Sequence, residues 1–389
     1  LFLTISKLFP VLADLGIAAL LVYLGKHAKK LGLPAASFPL YEILAAIYLI
    51  SPIGIIDGAW WGQVDSMGVV LFLLAFIFAL SKKPLFAGIL FMVAMMTKLQ
   101  NMIYGPLFFL FIWQSLGYTG LLRALTGAIL AFFGLNIEFF LSRNMARVVQ
   151  SVTENYDYFP YMSLNAFNLW WIVAKGQGMA IIDKVAAVGI VNAKTLGLLL
   201  FSGSYLFAVL RQFIKKNTQT FLEGLIVINA SFFLLMTQSH DRYAFPLSVF
   251  LLLLAPFVGK KNLRPFFILY AVFTIVYAYN LHTALVLNNP ANGLPLLSTL
   301  TQAPLTLAAS VILLGLFGLF ILHLTRGSVI ALIVPIIFIS GAVVTINMPL
   351  LAKKPVLLST LTPFESRQDY GGRMKDMAVN SSFGHTQWT

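Results

Sequence analysis

Apolar runs long enough to cross a membrane recur along almost the whole chain, separated by short segments that carry Lys and Arg. An α-helix needs about 20 apolar residues to span a bilayer. Lipid offers no partner for open backbone, so such runs are confined to helices. About twelve cores stand out, near 8–25, 40–56, 66–81, 84–97, 101–116, 120–140, 193–212, 220–238, 244–258, 264–282, 304–324 and 328–348. Several are short, and one or two read as re-entrant. Of the 389 residues, 59% are hydrophobic and only 10% are charged, against roughly a quarter charged in a soluble domain. A soluble fold has too little interior to hide that much apolar surface, and the same figures exclude a disordered chain. The expected fold class is an all-α polytopic membrane protein.

Lys and Arg number 26 against 13 Asp and Glu, a net charge of +13. The basic residues gather between apolar runs, at Lys26, Lys29 and Lys30; Lys82 and Lys83; Arg211, Lys215 and Lys216; and Lys260, Lys261 and Arg264. This is the positive-inside pattern of a membrane protein, not the continuous basic face that binds nucleic acid, so no nucleic-acid partner is expected. With those clusters in the cytoplasm, the loops after cores one, three, five, seven, nine and eleven face inward. The chain then begins outside. No signal peptide precedes the first run and residue 1 is Leu1, so an excerpt truncated at both ends is expected, with an upstream helix and outside segment missing. Two units follow: a transmembrane domain over 1–350, and a linker with the start of an extracytoplasmic soluble domain over 351–389. The second is polar, with Glu365, Arg367, Asp369, Arg373, Lys375 and Asp376.

On this topology four polar clusters share the outer side. The first is Trp60, Trp61, Gln63, Asp65 and Ser66. The second is Thr97, Lys98, Gln100 and Asn101. The third lies in the long loop 141–192, with Arg143, Arg147, Glu154, Asp157, Tyr158 and Tyr161, then Asn165, Asn168, Trp170 and Trp171. The fourth is Gln238, Ser239, His240, Asp241, Arg242 and Tyr243. Ionisable groups at a span end are costly unless they face a cavity or one another, which makes the joint arrangement a candidate site. Each cluster also has a plain structural reading. Trp60 and Trp61 suit an interfacial aromatic belt. Asp65 suits a helix cap. Lys98 suits a snorkelling lysine. His240, Asp241 and Arg242 suit an ion-pair cluster, and Asn165 and Asn168 suit turns.

Other chemistries find no footing. The chain has no cysteine, and its five histidines are scattered without paired spacing, so a metal site is not expected. A phosphate-binding GxxxxGK[ST] loop and a GxSxG nucleophile elbow are both absent.

WGQVD at 61–65, TKLQ at 97–100, NAFNLWW at 165–171 and HDRYAFP at 240–246 resemble the C-type fold of membrane glycosyltransferases. The nearest branch is similar to bacterial mannosyltransferases related to the second mannosyltransferase of GPI-anchor synthesis. The resemblance covers roughly residues 5 to 250. The segment after 357 is similar to the opening of a carbohydrate-binding module of the NPCBM type.

The resemblance implies an integral protein of the bacterial cell membrane that moves a hexose, mannose or glucose in type, from a polyprenyl-phosphate donor to an acceptor hydroxyl. Transfer is inverting and takes place on the extracytoplasmic face, without a nucleotide sugar or other cofactor. The partners implied are a lipid-linked sugar donor, a glycan, lipid or protein acceptor, and membrane lipids. The catalytic carboxylate of such enzymes falls in a loop upstream of Leu1, so none is assigned in this sequence. Cations aimed at the departing phosphate stabilise its growing charge, which points to Arg242 and Lys98, with His240 as a hydrogen-bond donor to the same phosphate. Trp60, Trp61, Gln63, Asp65, Gln100, Asn165, Asn168, Asp241 and Tyr243 are the candidates for sugar or acceptor contact. A transporter or flippase of lipid-linked or glycan substrates is the competing class; Asp14 and Glu138 lie inside spans, but no clear internal repeat is present and the other notable charges cluster at one face, which favours surface chemistry. A catalytically inactive sugar-binding scaffold is a third.

Overall fold

The computed structural model describes residues 2–36, 38–153, 157–188, 191–288, 293–294 and 300–326. The core expected at 328–348, the segment 351–389 and Glu154 lie outside the described residues. Among the described residues the architecture is all-α, apart from a two-stranded antiparallel ribbon of Ala186–Val188 and Val191–Asn192. Among the described residues, seven helical segments are long and apolar enough to cross a membrane.

The helices are α1 (Phe2–Lys26), α2 (Leu40–Leu49), α3 (Asp65–Leu80), α4 (Pro84–Thr97), α5 (Gly105–Leu135), α6 (Ala193–Lys215), α7 (Thr218–Leu235), α8 (Leu247–Leu254), α9 (Lys260–Asn288) and α10 (Ala303–Leu324). Their boundaries follow local chemistry. Asn192 and Asn217 accept from the amides of Thr195 and Thr220 at 2.8 Å each, capping α6 and α7. Pro84 and Pro106 stand in the first turns of α4 and α5, where no amide hydrogen is needed. Between α2 and α3 the helix widens into a π-helical stretch, Ile55–Trp61, closed by Gly62 at φ 82°. Such wide turns cost helix geometry and gather at functional sites.

The expected cores 101–116 and 120–140 appear together in α5, but Gly117, at φ 69° and ψ −174°, breaks the helical path between them. Phe108 packs against Phe91 of α4, and a Cβ on Gly88, also of α4, would sit 1.8 Å from the carbonyl of Ala124. A straight helix would hold residues 108 and 124 about 24 Å apart, whereas residues 88 and 91 are neighbours. The chain therefore doubles back at Gly117, and both halves of α5 pack on α4. In the loop 141–192, short helices Met145–Thr153 and Leu169–Val173 form alongside the ribbon.

An aromatic interior joins these helices. Phe221 of α7 stacks on Phe111 of α5 at 4.4 Å and on Phe76 of α3 at 5.4 Å, while Phe72 meets Tyr104 and Phe250. Helices that leave the polar clusters end on basic ones: α1 on Lys26, α3 before Lys82 and Lys83, and α6 on Lys215. The bundle thus has a polar end, where the clusters collect, and a basic end.

Candidate functional site

The four clusters, far apart in sequence, meet at the polar end. Lys98 forms an ion pair with Asp65, linking the second cluster to the first. Gln100 donates to the carbonyl of Tyr243 at 2.7 Å, linking the second to the fourth. The third joins through backbone: the amide of Leu164 donates to Ser239 at 3.0 Å, the amide of Asp241 donates to Leu164 at 3.2 Å, and Asn165 bridges to His240. Asn229 of α7 braces the group from below, donating to Tyr104 at 2.7 Å and to the Tyr243 carbonyl at 3.1 Å.

At the centre stand three buried carboxylates, Asp57, Asp65 and Asp241, with exposures of 0%, 2% and 3%. Lys98 and Arg242 are the cations within electrostatic range of Asp57. Asp65 opens α3 and directs one oxygen to Lys98, without capping the helix. Its second oxygen, both oxygens of Asp57 and one of Asp241 lack a hydrogen-bond partner. Asp57 was not singled out from the sequence. It ends an apolar run, in the segment Ile55-Ile56-Asp57, and only the π-helical turn brings it among the other acids.

The two cations differ in their commitments. Lys98 is taken up by Asp65 and lies 5.6 Å from the Tyr243 ring centre. Arg242 is half-buried and has no ion-pair partner among the described residues. Burial works against its charge, but Asp241, Asp65 and Asp57 outweigh that and raise its pKa. A charged, unpaired guanidinium is a fork for an oxyanion. His240 is pushed down to about 3, by burial first and then by Arg242 and Lys98, so its ring is neutral and keeps one N–H to donate. Burial pushes Asp241 up to about 7, against the pull of Arg242.

Trp60, Trp61 and Gln63 lie partly exposed beside this centre, and Lys7 of α1 holds the Trp60 carbonyl at 2.6 Å. Asn168 has a structural post, a helix cap where its sequence suited a turn. It is fully buried, caps the helix Leu169–Val173 by accepting from Trp171 at 2.9 Å, and donates to the carbonyls of Phe233 and Met236. Asn165 is buried with φ 59°, and its carbonyl accepts from Asn280 at 2.7 Å. Both asparagines shape the loop, because a buried amide must satisfy its donors and acceptors internally.

Beside the centre, Asp157 gathers Lys184 at 2.7 Å, Lys194 at 2.6 Å and Gln238 at 2.7 Å. Burial works against its charge, but these partners prevail and hold its pKa down at about 2. Gln238 also donates to Asp183 at 2.8 Å. The network ties the long loop to the residue two places before His240. A largely apolar cavity of about 470 Å³ runs between α7, α8, α9 and α10, from Phe233 and Phe273 to Glu223, Asn262 and His323 at the basic end. The two Phe rings also pack on Tyr277, which lies within electrostatic range of Asp57, Asp65 and Asp241. Among the described residues, no three His, Asp or Glu side chains stand close enough to hold a metal ion.

No protein-family model matches the chain, and no curated protein matches it by sequence. The chemistry of the polar end therefore rests on its own geometry.

Proposed function

We propose that the chain is the membrane part of a glycosyltransferase that moves a hexose from a polyprenyl-phosphate donor to an acceptor hydroxyl, with inversion. The observation that carries this reading is Arg242, a guanidinium kept charged by three buried carboxylates and left without an ion-pair partner at the meeting point of four polar clusters. Breaking the bond to the donor places new negative charge on the departing phosphate, and a preorganised cation there lowers the barrier. His240 adds a neutral N–H to the same oxyanion, and Lys98 contributes its field from the Asp65 pair. Trp60 or Trp61 stacks on a pyranose, with Gln63, Gln100, Asp65, Asp241 and Tyr243 around the sugar and acceptor. The apolar cavity between α7 and α10 suits a prenyl chain. In this reading the fold has twelve spans, and the polar end faces away from the cytoplasm of a bacterial cell membrane.

A proton-coupled transporter is the second reading. It is favoured by the carboxylates inside spans, Asp57 and also Asp14, which accepts from the Tyr48 hydroxyl at 2.6 Å. One experiment parts the two. In the full-length protein, Arg242→Ala is expected to lower sugar transfer from a polyprenyl-phosphate donor by at least about a hundredfold. Unchanged turnover removes the phosphate assignment. Vesicle uptake of a glycan without any transfer favours the transporter.

A further inference from the structure

The centre at the polar end holds one carboxylate more than it holds cations. Asp65 and Lys98 compensate each other as an ion pair. That leaves Arg242 as the cation not already paired that faces Asp57 and Asp241. Three oxygens of these two acids have donors neither from Arg242 nor from any other described side chain. The other unsatisfied atoms on the segments that meet here are Gln100 Oε1, Asn229 Oδ1 and the hydroxyls of Ser239 and Tyr277. The surplus is of acceptors. Buried carboxylates need a donor or a counter-charge to persist in ionised form. Arg242 is the foremost cation facing Asp241, whereas Asp57 feels Lys98 ahead of Arg242.

An anion docking on Arg242 draws that counter-charge outward. Asp241 then faces Asp57 and the anion with no free cation between them, since Lys98 is committed to Asp65. We propose that anion binding at Arg242 is coupled to the uptake of one proton by Asp241. The inference rests on the reading of Arg242 as the phosphate site and adds to it a partner that follows the charge of the ligand. No bond other than O–H forms: the proton comes from solvent and sits on the unpartnered Asp241 oxygen. The coupling is stronger for a phosphate monoester, which is dianionic, than for a monoanionic diester. The site thus favours the phosphate as it leaves over the donor that enters.

The groups facing Asp241 are His240, Arg242 and Tyr243 on its own turn, Asp57 from the π-helical stretch, Asp65 from α3, Lys98 beyond α4 and Tyr277 from α9. His240, held near 3, does not change charge around neutrality. Asp241, at about 7, has its proton within reach there.

The probe is sulfate, a tetrahedral dianion that does not itself titrate near neutral pH. Sulfate is titrated calorimetrically into the purified full-length protein in detergent, in two buffers of different ionisation enthalpy. The expected result is uptake of about one proton per sulfate, with the dissociation constant rising toward tenfold per pH unit above about pH 7. Asp241→Asn is expected to bind sulfate with no proton uptake and with a flat pH profile. Sulfate binding by the wild type without proton uptake overturns the coupling and leaves Arg242 as an anion site. So does uptake that persists in Asp241→Asn. If Asp241→Asn does not fold, the two-buffer measurement on the wild type decides alone. Undiminished sulfate binding in Arg242→Ala, or none in the wild type, overturns the phosphate reading as well.

Discussion

Lys98 and Asp65, 33 residues apart in sequence, close on each other as an ion pair, and among the described residues this leaves Arg242 as the cation facing the three buried acids without an ion-pair partner. Two lysine or arginine side chains at one mouth look equivalent in sequence. Their commitments differ because Lys98 follows α4 directly opposite the first turn of α3, where Asp65 stands.

The pair is buried on the aspartate side and 17% exposed on the lysine side. Asp65→Asn strands Lys98 and is expected to destabilise the protein by about 3 kcal/mol. Asp65→Asn with Lys98→Met is expected to recover most of that loss, because the uncompensated charge is then gone. Thermal unfolding in detergent measures both. Equal midpoints for the single and double variants would show that the pair is not the reason.

Two glycines shape the same helix pair for different reasons. Gly117 sits at φ 69° and ψ −174° with open space where a Cβ would go. Gly117→Ala therefore tests backbone strain alone, expected at about 1–3 kcal/mol. A Cβ on Gly88 would overlap the Ala124 carbonyl at 1.8 Å, and that atom is backbone. Gly88→Ala must push α4 and α5 apart, and at least about 2 kcal/mol is expected. Circular-dichroism melts of the two variants, compared with Gly134→Ala, where nothing lies within 4 Å, check the prediction. The Gly134 control should lose less than either.

Asp157 offers a pH test. Its ordinary pKa of 3.8 is lowered to about 2 in the fold by Lys184, Lys194 and Gln238, despite the opposing effect of burial. A depressed pKa means the group stabilises the fold above its unfolded value and ceases to do so as pH falls through the folded one. The contribution is complete above about pH 4 and disappears toward pH 2. Asp157→Asn should lower the melting temperature at pH 6 and leave it close to the wild type near pH 2. A difference that persists undiminished at the acid end would contradict this account.

Much of the bundle was legible from hydropathy, because lipid leaves helices as the available form for an apolar run. The break at Gly117 falls between the expected cores 101–116 and 120–140. The four polar clusters were legible as well, since charge is so scarce here that each exception stands out. Two things were not. Asp57 was hidden by its neighbours, because an acid at the end of Ile55-Ile56-Asp57 reads as the end of a span. Asn168 suits both a turn and a ligand contact in sequence, and in the fold its side chain bonds Trp171, Phe233 and Met236. A short polar residue before an apolar pair suits a cap as well as a site, and sequence alone does not separate the two.

The sequence by itself determined the solvent and the class of the fold: an apolar excess, runs near twenty residues and basic punctuation leave helices in a membrane as the stable outcome. The tertiary structure decided which charge compensates which. Pairing acts over a few ångströms and charge over somewhat more, and residues 57, 65, 98 and 241 come within electrostatic reach of one another, with Lys98 and Asp65 paired, only when four separate segments pack at one end of the bundle. The unpaired state of Arg242, on which the proposed chemistry rests, is a property of that packing.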